Sequence, residues 1–203
     1  MWNKEDEIII VEVKLKKHRI SLRYPEIKGL KNKEVEKNIN ALIQEEIYIM
    51  IVEEGYEEDY KKEFSGEYDI KLQTTDLLSL VIYLHSYSKG AAHGLTVLKA
   101  INIDLEDARI YQLQDIFTKD AKYIEKINKN IKNDIVKRDI PLLVEFETID
   151  KNQDYFLTGD SLVIFFQLYE YTAYAYGIPK FAIPYMVLED MIDEEGPLKN
   201  IIV

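Results

Sequence analysis

The chain has no cysteine among its 203 residues, which removes disulfides, thiolate nucleophiles and thiolate-bound zinc from consideration. Histidine is scarce as well: His18, His85 and His93 are the complete set. No HxH or HExxH spacing occurs, and a structural zinc needs four converging ligands, so neither a metal nor another cofactor is expected. The GxSxG nucleophile elbow, the phosphate-cradling P-loop and the dinucleotide-binding GxGxxG are also missing. No segment reaches the roughly 18 uninterrupted apolar residues of a membrane span. The N-terminal "MWNKEDEIIIVEV" has charges before a short apolar run but no signal-peptide core. The sequence therefore assigns no catalytic residue and favours binding over catalysis.

What is present is acid and tyrosine. The chain carries 37 acids against 26 bases, a net charge of -11, which repels phosphate backbones and argues against nucleic acid and anionic membrane surfaces. A cationic protein would be attracted. Tyrosine occurs 15 times against seven phenylalanines and one tryptophan, and its apolar body with a polar tip suits half-buried sheet faces or a binding surface. Length and balance fit one domain over 1–192 with a polar C-terminal tail, 193–203.

Periodicity supplies the elements. "EIIIVEVKLKKHRISLRYPEI" reads as the extended edge of a sheet, with Ile9, Val11, Val13 and Leu15 toward the core and a turn at Lys16–Arg19. Asn32 is the expected N-cap of a helix whose stripe is Val35, Ile39, Leu42, Ile43, Ile47 and Met50, with Gly55 at its end. The charged "YEEDYKKEFSGEYD" reads as a solvated extension or loop turning at Gly66. Leu78, Leu80, Ile82 and Leu84 form one face of a strand, and a tight hairpin through Lys89–Gly90 would pair Leu84 with Leu95 and set His93 opposite Ser86. A second helix, capped near Thr118, carries Ile124, Ile127, Ile131 and Ile135. A hairpin bends at Gly159–Asp160, with Leu162, Ile164, Phe166 and Leu168 inward, and a short strand precedes Pro184. The expected fold is α+β: mainly antiparallel sheets packed with two long helices, in two closely merged halves, about 1–88 and 89–192.

Two places concentrate candidate binding residues. Gly90 and Gly94 surround His93, and their freedom of backbone angle lets segments approach closely while the imidazole braces them. In "LYEYTAYAYG", Tyr169, Tyr171, Tyr174 and Tyr176 surround small alanines before Gly177, and rigid amphipathic rings on a bend commonly make an interface. Glu170, expected at the inward end of its strand, is the acid singled out. The rival reading is a cell-wall glycan hydrolase or modifying enzyme using carboxylates such as Glu170 with His93.

Four pieces of sequence carry a resemblance: "YPEIKGL" with "NINALIQ"; "LLSLVIYLHSYSKGAAHGLT" with "INIDLEDARIYQLQDIF"; "DYFLTGDSLVIFFQLYEYTAYAYG"; and "FAIPYMVL". In this order they resemble the extracytoplasmic domain of RsiV-type anti-sigma factors and the N-terminal, non-catalytic domain of the deacetylase PdaC. The resemblance implies a two-part α+β binding or sensing module of the bacterial cell envelope. Such a module is secreted or anchored through a segment outside this sequence; a native start at Met1 would instead imply the cytoplasm. In RsiV the domain senses and inhibits lysozyme, so a cationic protein of that kind, or peptidoglycan, is the implied partner. Family members usually carry proline in a "YEIAPYA" bend where this chain has Ala173, so lysozyme recognition itself does not carry over.

Overall fold

The computed structural model describes residues 8–201. The chain divides into two compact units, Met1–Ile110 and Tyr111–Val203. The seam expected between 88 and 89 falls instead inside a hairpin, because the strands on either side of it pair along their length.

In the first unit, β1 (Ile9–Lys17) and β2 (Ile20–Lys28) form an antiparallel hairpin turning at His18–Arg19, where Arg19 takes φ 60°. Helix α1 (Lys33–Glu53) then crosses the sheet. Asn32 caps it as expected, its side-chain oxygen accepting from the Glu34 and Val35 amides at 3.0 and 3.3 Å. The helix carries the chain to β3 (Lys62–Gln73), which pairs parallel to β2. Strands β4 (Leu77–Ser88) and β5 (Leu95–Asp104) complete a five-stranded sheet in sequence order. A parallel neighbour needs a crossover of a dozen residues or more, and α1 is that crossover.

The α1 stripe buries Val35, Ile39, Ile43, Ile47, Met50 and Ile51 against Leu22, Phe64, Leu80, Ile82 and Leu84 of the sheet. Each such side chain contributes about 1.5–3 kcal/mol when fully buried. Asn40 fixes the docking: its amide accepts from the Ile27 N–H at 2.7 Å and donates to the Ile27 carbonyl at 2.9 Å.

Several expectations change. Ile9 is 58% exposed at the sheet edge, and Ile10 and Leu15 are the β1 residues that pack on the core. The β4–β5 loop is longer than a two-residue turn, which shifts the register by two: Leu84 pairs with Val97, and Leu95, not His93, lies opposite Ser86. Gly66 sits within β3 rather than at a turn. There the chain needs the absence of a side chain: a Cβ would lie 2.8 Å from both the Leu22 Cδ2 and the Tyr83 carbonyl oxygen. The acids around it occupy the solvent face, while Phe64 is buried on the other.

The second unit contains α2 (Tyr123–Lys137) and a three-stranded antiparallel sheet of β6 (Tyr155–Leu157), β7 (Ser161–Phe165) and β8 (Lys180–Pro184), followed by a helical turn, α3 (Tyr185–Leu188). α2 buries Ile127 and Ile131 but starts at Tyr123, not near Thr118. Thr118 is held elsewhere, its amide donating to the Met191 carbonyl at 2.8 Å. The C-terminal stretch is no loose tail over its described part: Leu198 is fully buried, and the Asp193 amide donates to the Ile116 carbonyl. The N-terminal reading over 1–7 and the last two tail residues lie outside the described residues.

Gly66→Ala should destabilise the first unit by about 1–3 kcal/mol, since the Tyr83 carbonyl is backbone and cannot yield. A lowered urea midpoint with an unchanged slope would show it. In the second unit, the buried Tyr155 hydroxyl donates to the Tyr111 carbonyl at 3.1 Å and the Tyr185 hydroxyl to the Thr158 carbonyl at 2.6 Å. Burial pushes both phenols above their ordinary range. Both thus stay protonated in the folded state after the unfolded phenols ionise near pH 10. Their stabilisation is complete below that pH and is lost as the pH climbs, so the urea midpoint should fall steadily above about pH 10 and fall less in Tyr155→Phe.

Candidate functional site

The loop between β4 and β5 turns through Gly90, at φ 99°, where the Ala91 amide donates to the Ser88 carbonyl at 2.9 Å. His93 is exposed, and its Nδ1 lies 2.9 Å from the Gly94 carbonyl oxygen. The ring braces its own loop. Gly94 answers a steric demand of a different kind: a Cβ there would come within 2.4 Å of the His85 ring and 2.6 Å of the Ser86 carbonyl. The His85 imidazole lies against this glycine, with its Nδ1 3.1 Å from the Thr96 hydroxyl.

The tyrosine bend follows β7 in the second unit. Gln167 to Glu170 form a turn in which the Glu170 carboxylate accepts from the Gln167 amide at 2.9 Å. Glu170 is exposed and off the strand, because β7 ends at Phe165. The expectation of an inward-facing carboxylate is therefore corrected: this acid closes a turn, and the ground for an acid–base role is removed. Tyr169 takes φ 69°, and its amide donates to the Thr172 carbonyl at 3.2 Å. Thr172 is fully buried; its hydroxyl donates to the Gly177 carbonyl at 3.0 Å and so closes the bend across its base. Gly177, at φ 85°, turns the chain toward β8.

The four rings divide by direction. Tyr171 points down, packing edge-on against Phe166 at 4.7 Å and Phe146 at 5.5 Å, and burial pushes its phenol up. Tyr169, Tyr174 and Tyr176 are 48%, 38% and 36% exposed. The Tyr169 and Tyr174 rings stack at 6.1 Å with 27° between their planes. The Tyr176 hydroxyl accepts from the Arg138 guanidinium at 3.0 Å, and the same side chain donates to the Lys180 carbonyl and pairs with Asp134.

Two exposed apolar residues join this surface that the sequence reading passed over. Leu143 and Val144 are 54% and 55% exposed, and the Leu143 amide donates to the Tyr171 carbonyl at 2.8 Å. The signal was the apolar run after Pro141, hidden by the acids that follow it. Those acids matter too. Glu147 and Glu170 both act electrostatically on Tyr171, so carboxylates border the aromatic patch. His93 and Gly94 belong to the first unit, the bend to the second. Among the described residues, no group of three or more acids and histidines is placed to hold a metal.

Comparison with known proteins follows the same division. Residues 11–96 match the family model described as Deacetylase PdaC, and residues 114–186 match Protein of unknown function (DUF3298). The first lies within the first unit and the second within the second. Anti-sigma-V factor RsiV of Bacillus subtilis is 30% identical over 203 residues, covering 91% of this chain and 70% of that protein. Peptidoglycan-N-acetylmuramic acid deacetylase PdaC of the same organism is 27% identical over 143 residues, covering 66% of this chain and only 30% of its own length. Crystal structures of DUF3298 family proteins share the fold. One from Bacteroides fragilis gives a TM-score of 0.67 at 18% identity over 96% of each chain. One from Pseudomonas aeruginosa PAO1 gives 0.65 at 13% identity over 92% of this chain and 93% of its own. With 91% of this chain matched to RsiV at 30% identity, and a PdaC-type segment preceding a DUF3298 segment along it, this chain belongs to the RsiV-like family.

Proposed function

We propose that the chain is a non-enzymatic recognition module of the bacterial cell envelope, acting outside the cytoplasm, and that it takes a cationic protein on the tyrosine bend. The observation that carries this is the exposed, stacked pair Tyr169–Tyr174 on a bend closed from below by Thr172. Rings already held in place lose little freedom on binding, which is why tyrosine dominates many recognition loops. Leu143 and Val144 extend the apolar centre, and Glu147 with Glu170 supplies a rim of the sign that a basic partner would meet. The net charge of -11 steers such a partner from a distance. The names of the relatives support this reading: one is an anti-sigma factor, the other a peptidoglycan deacetylase.

Ala173 bears on the family comparison. Its φ of -66° and ψ of 155° are values that a proline would adopt, so the alanine leaves the path of the bend unchanged and only loosens it in the unfolded chain.

Two expected outcomes test the reading. Titration calorimetry against a basic lysozyme of the animal type, and against soluble peptidoglycan fragments, at two salt concentrations should detect the protein ligand with affinity falling as salt rises. Replacing both Tyr169 and Tyr174 by alanine should weaken it on the order of tenfold per ring lost. Silence toward both ligands, or indifference to the double substitution, would defeat the proposal. Ala173→Pro should be tolerated and should raise stability by about 0.4–1 kcal/mol, seen as a higher melting temperature.

A further inference from the structure

The β1–β2 hairpin departs from the charge of the chain around it. From Lys14 to Arg23 the sequence "KLKKHRISLR" holds five lysines and arginines and no acid, in a protein whose acids outnumber its bases 37 to 26. The strand pairing spreads this charge along one side of a trough on the sheet face away from α1. A single row crosses all five strands: Lys16 pairs with Ser21, Ser21 with Ser65, Ser65 with His85, and His85 with Thr96. The two serines are short and exposed, so the middle of the row is low. Lys14, Lys16 and Arg23 rise on one bank, and Tyr83, His85 and Tyr87 rise on the other. The concavity measures about 680 Å³ and continues into a second of about 370 Å³, which shares Lys16, Ser21, Ser65 and His85.

The cationic bank is not fully neutralised from within. Arg23 pairs with Glu67 at 2.8 Å, and Lys14 stands 3.7 Å from Glu12. Arg19 is occupied by backbone carbonyls. Lys16 and Lys17, by contrast, make no ion pair or side-chain hydrogen bond among the described residues. On the floor Glu63 and Glu67 flank Ser65, Glu67 being held by Arg23, and beyond them aromatic and imidazole faces stand opposite these ammonium groups. Gly94 contributes to this shape, because only a residue without a Cβ lets the His85 ring lie where it does.

We propose that this trough binds a carbohydrate chain bearing carboxylates. Ring faces on the Tyr83–His85–Tyr87 bank stack on sugar rings, the hydroxyls of Ser21, Ser65 and Thr96 exchange hydrogen bonds with sugar hydroxyls, and Lys16 and Lys14 meet the carboxylates. Each half of that pairing has its own recognition chemistry, and the two occur on opposite sides of one channel. A neutral sugar would leave Lys16 without a charged partner, and a bare anion would leave the aromatic bank unused. This site lies in the first unit and does not rest on the tyrosine bend of the second.

Nuclear magnetic resonance titration of the whole chain tests it. Three probes are compared: an oligosaccharide of alternating N-acetylglucosamine and N-acetylmuramic acid with free carboxylates, a neutral N-acetylglucosamine oligomer of equal length, and inorganic phosphate. The acidic oligosaccharide should shift the amides of Lys16, Ser21, Ser65, His85 and Thr96. Lys16→Glu, at an exposed position, should weaken it by about tenfold, the effect of replacing one charge-assisted contact by repulsion. Tyr87→Ala should weaken it independently of salt, and the double alanine variant at Tyr169 and Tyr174 should leave it unchanged. Equal binding of the neutral oligomer, shifts from phosphate but none from the acidic sugar, or an unchanged affinity in Lys16→Glu would each overturn the proposal.

Discussion

The Arg19 guanidinium holds the first unit in its connectivity. It lies 4.1 Å over the Tyr56 ring and donates to the carbonyls of Tyr56, Asp59 and Lys62 at 2.8, 2.7 and 3.2 Å. Those carbonyls line the loop that brings the chain from the end of α1 into β3. The Arg19 carbonyl in turn accepts from the Phe64 amide at 2.7 Å, which begins the parallel pairing of β2 with β3. That pairing is short, running from Ile20–Phe64 to Leu22–Gly66. A short parallel ladder is weakly specified on its own, and a delocalised, always charged donor spanning three acceptors supplies the missing constraint. With β3 so placed, the long antiparallel pairs with β4 and β5 follow, and the row from Lys16 to Thr96 comes into line.

The second unit solves a different problem, the display of hydrophobic rings in water without collapse of the loop that carries them. Thr172 and Tyr171 are the inward anchors: one ties the base of the bend by a buried hydroxyl, the other packs its ring edge-on against both Phe146 and Phe166. Arg138, at the end of α2, reaches the bend from the side and holds Tyr176 by its hydroxyl. The outward residues are then free to be chosen for recognition, because the inward ones already hold the backbone. A bend of this kind is a rigid projection rather than a flexible one, and its ordering cost is met in folding.

The two units divide the electrostatics as well. A molecule with net charge -11 keeps a run of bases on one hairpin and sets carboxylates beside its aromatic bend. Charges of opposite sign placed on separate surfaces attract different partners.

Periodic burial was legible from the residues alone. The α1 stripe with its Asn32 cap, the apolar face Leu78–Leu84 and the hairpin at Gly159–Asp160 each follow from local spacing, since a helix repeats every 3.6 residues and a strand every two. The α+β class followed from the same patterns taken together, and the family from the resemblance that four pieces of the sequence carry. What depends on distant partners was not legible. Arg19 looked like a solvated turn residue because its three acceptors lie about 40 positions further on. Gly66 looked like a turn because the atoms that forbid a Cβ there belong to neighbouring strands. Glu170 looked inward because strand alternation was carried past the point where β7 ends. Sequence by itself determined which residues prefer to leave water and in what local form; only the tertiary structure decided the register, the close approaches and the outward rings, because these are set by contacts between segments far apart in the chain.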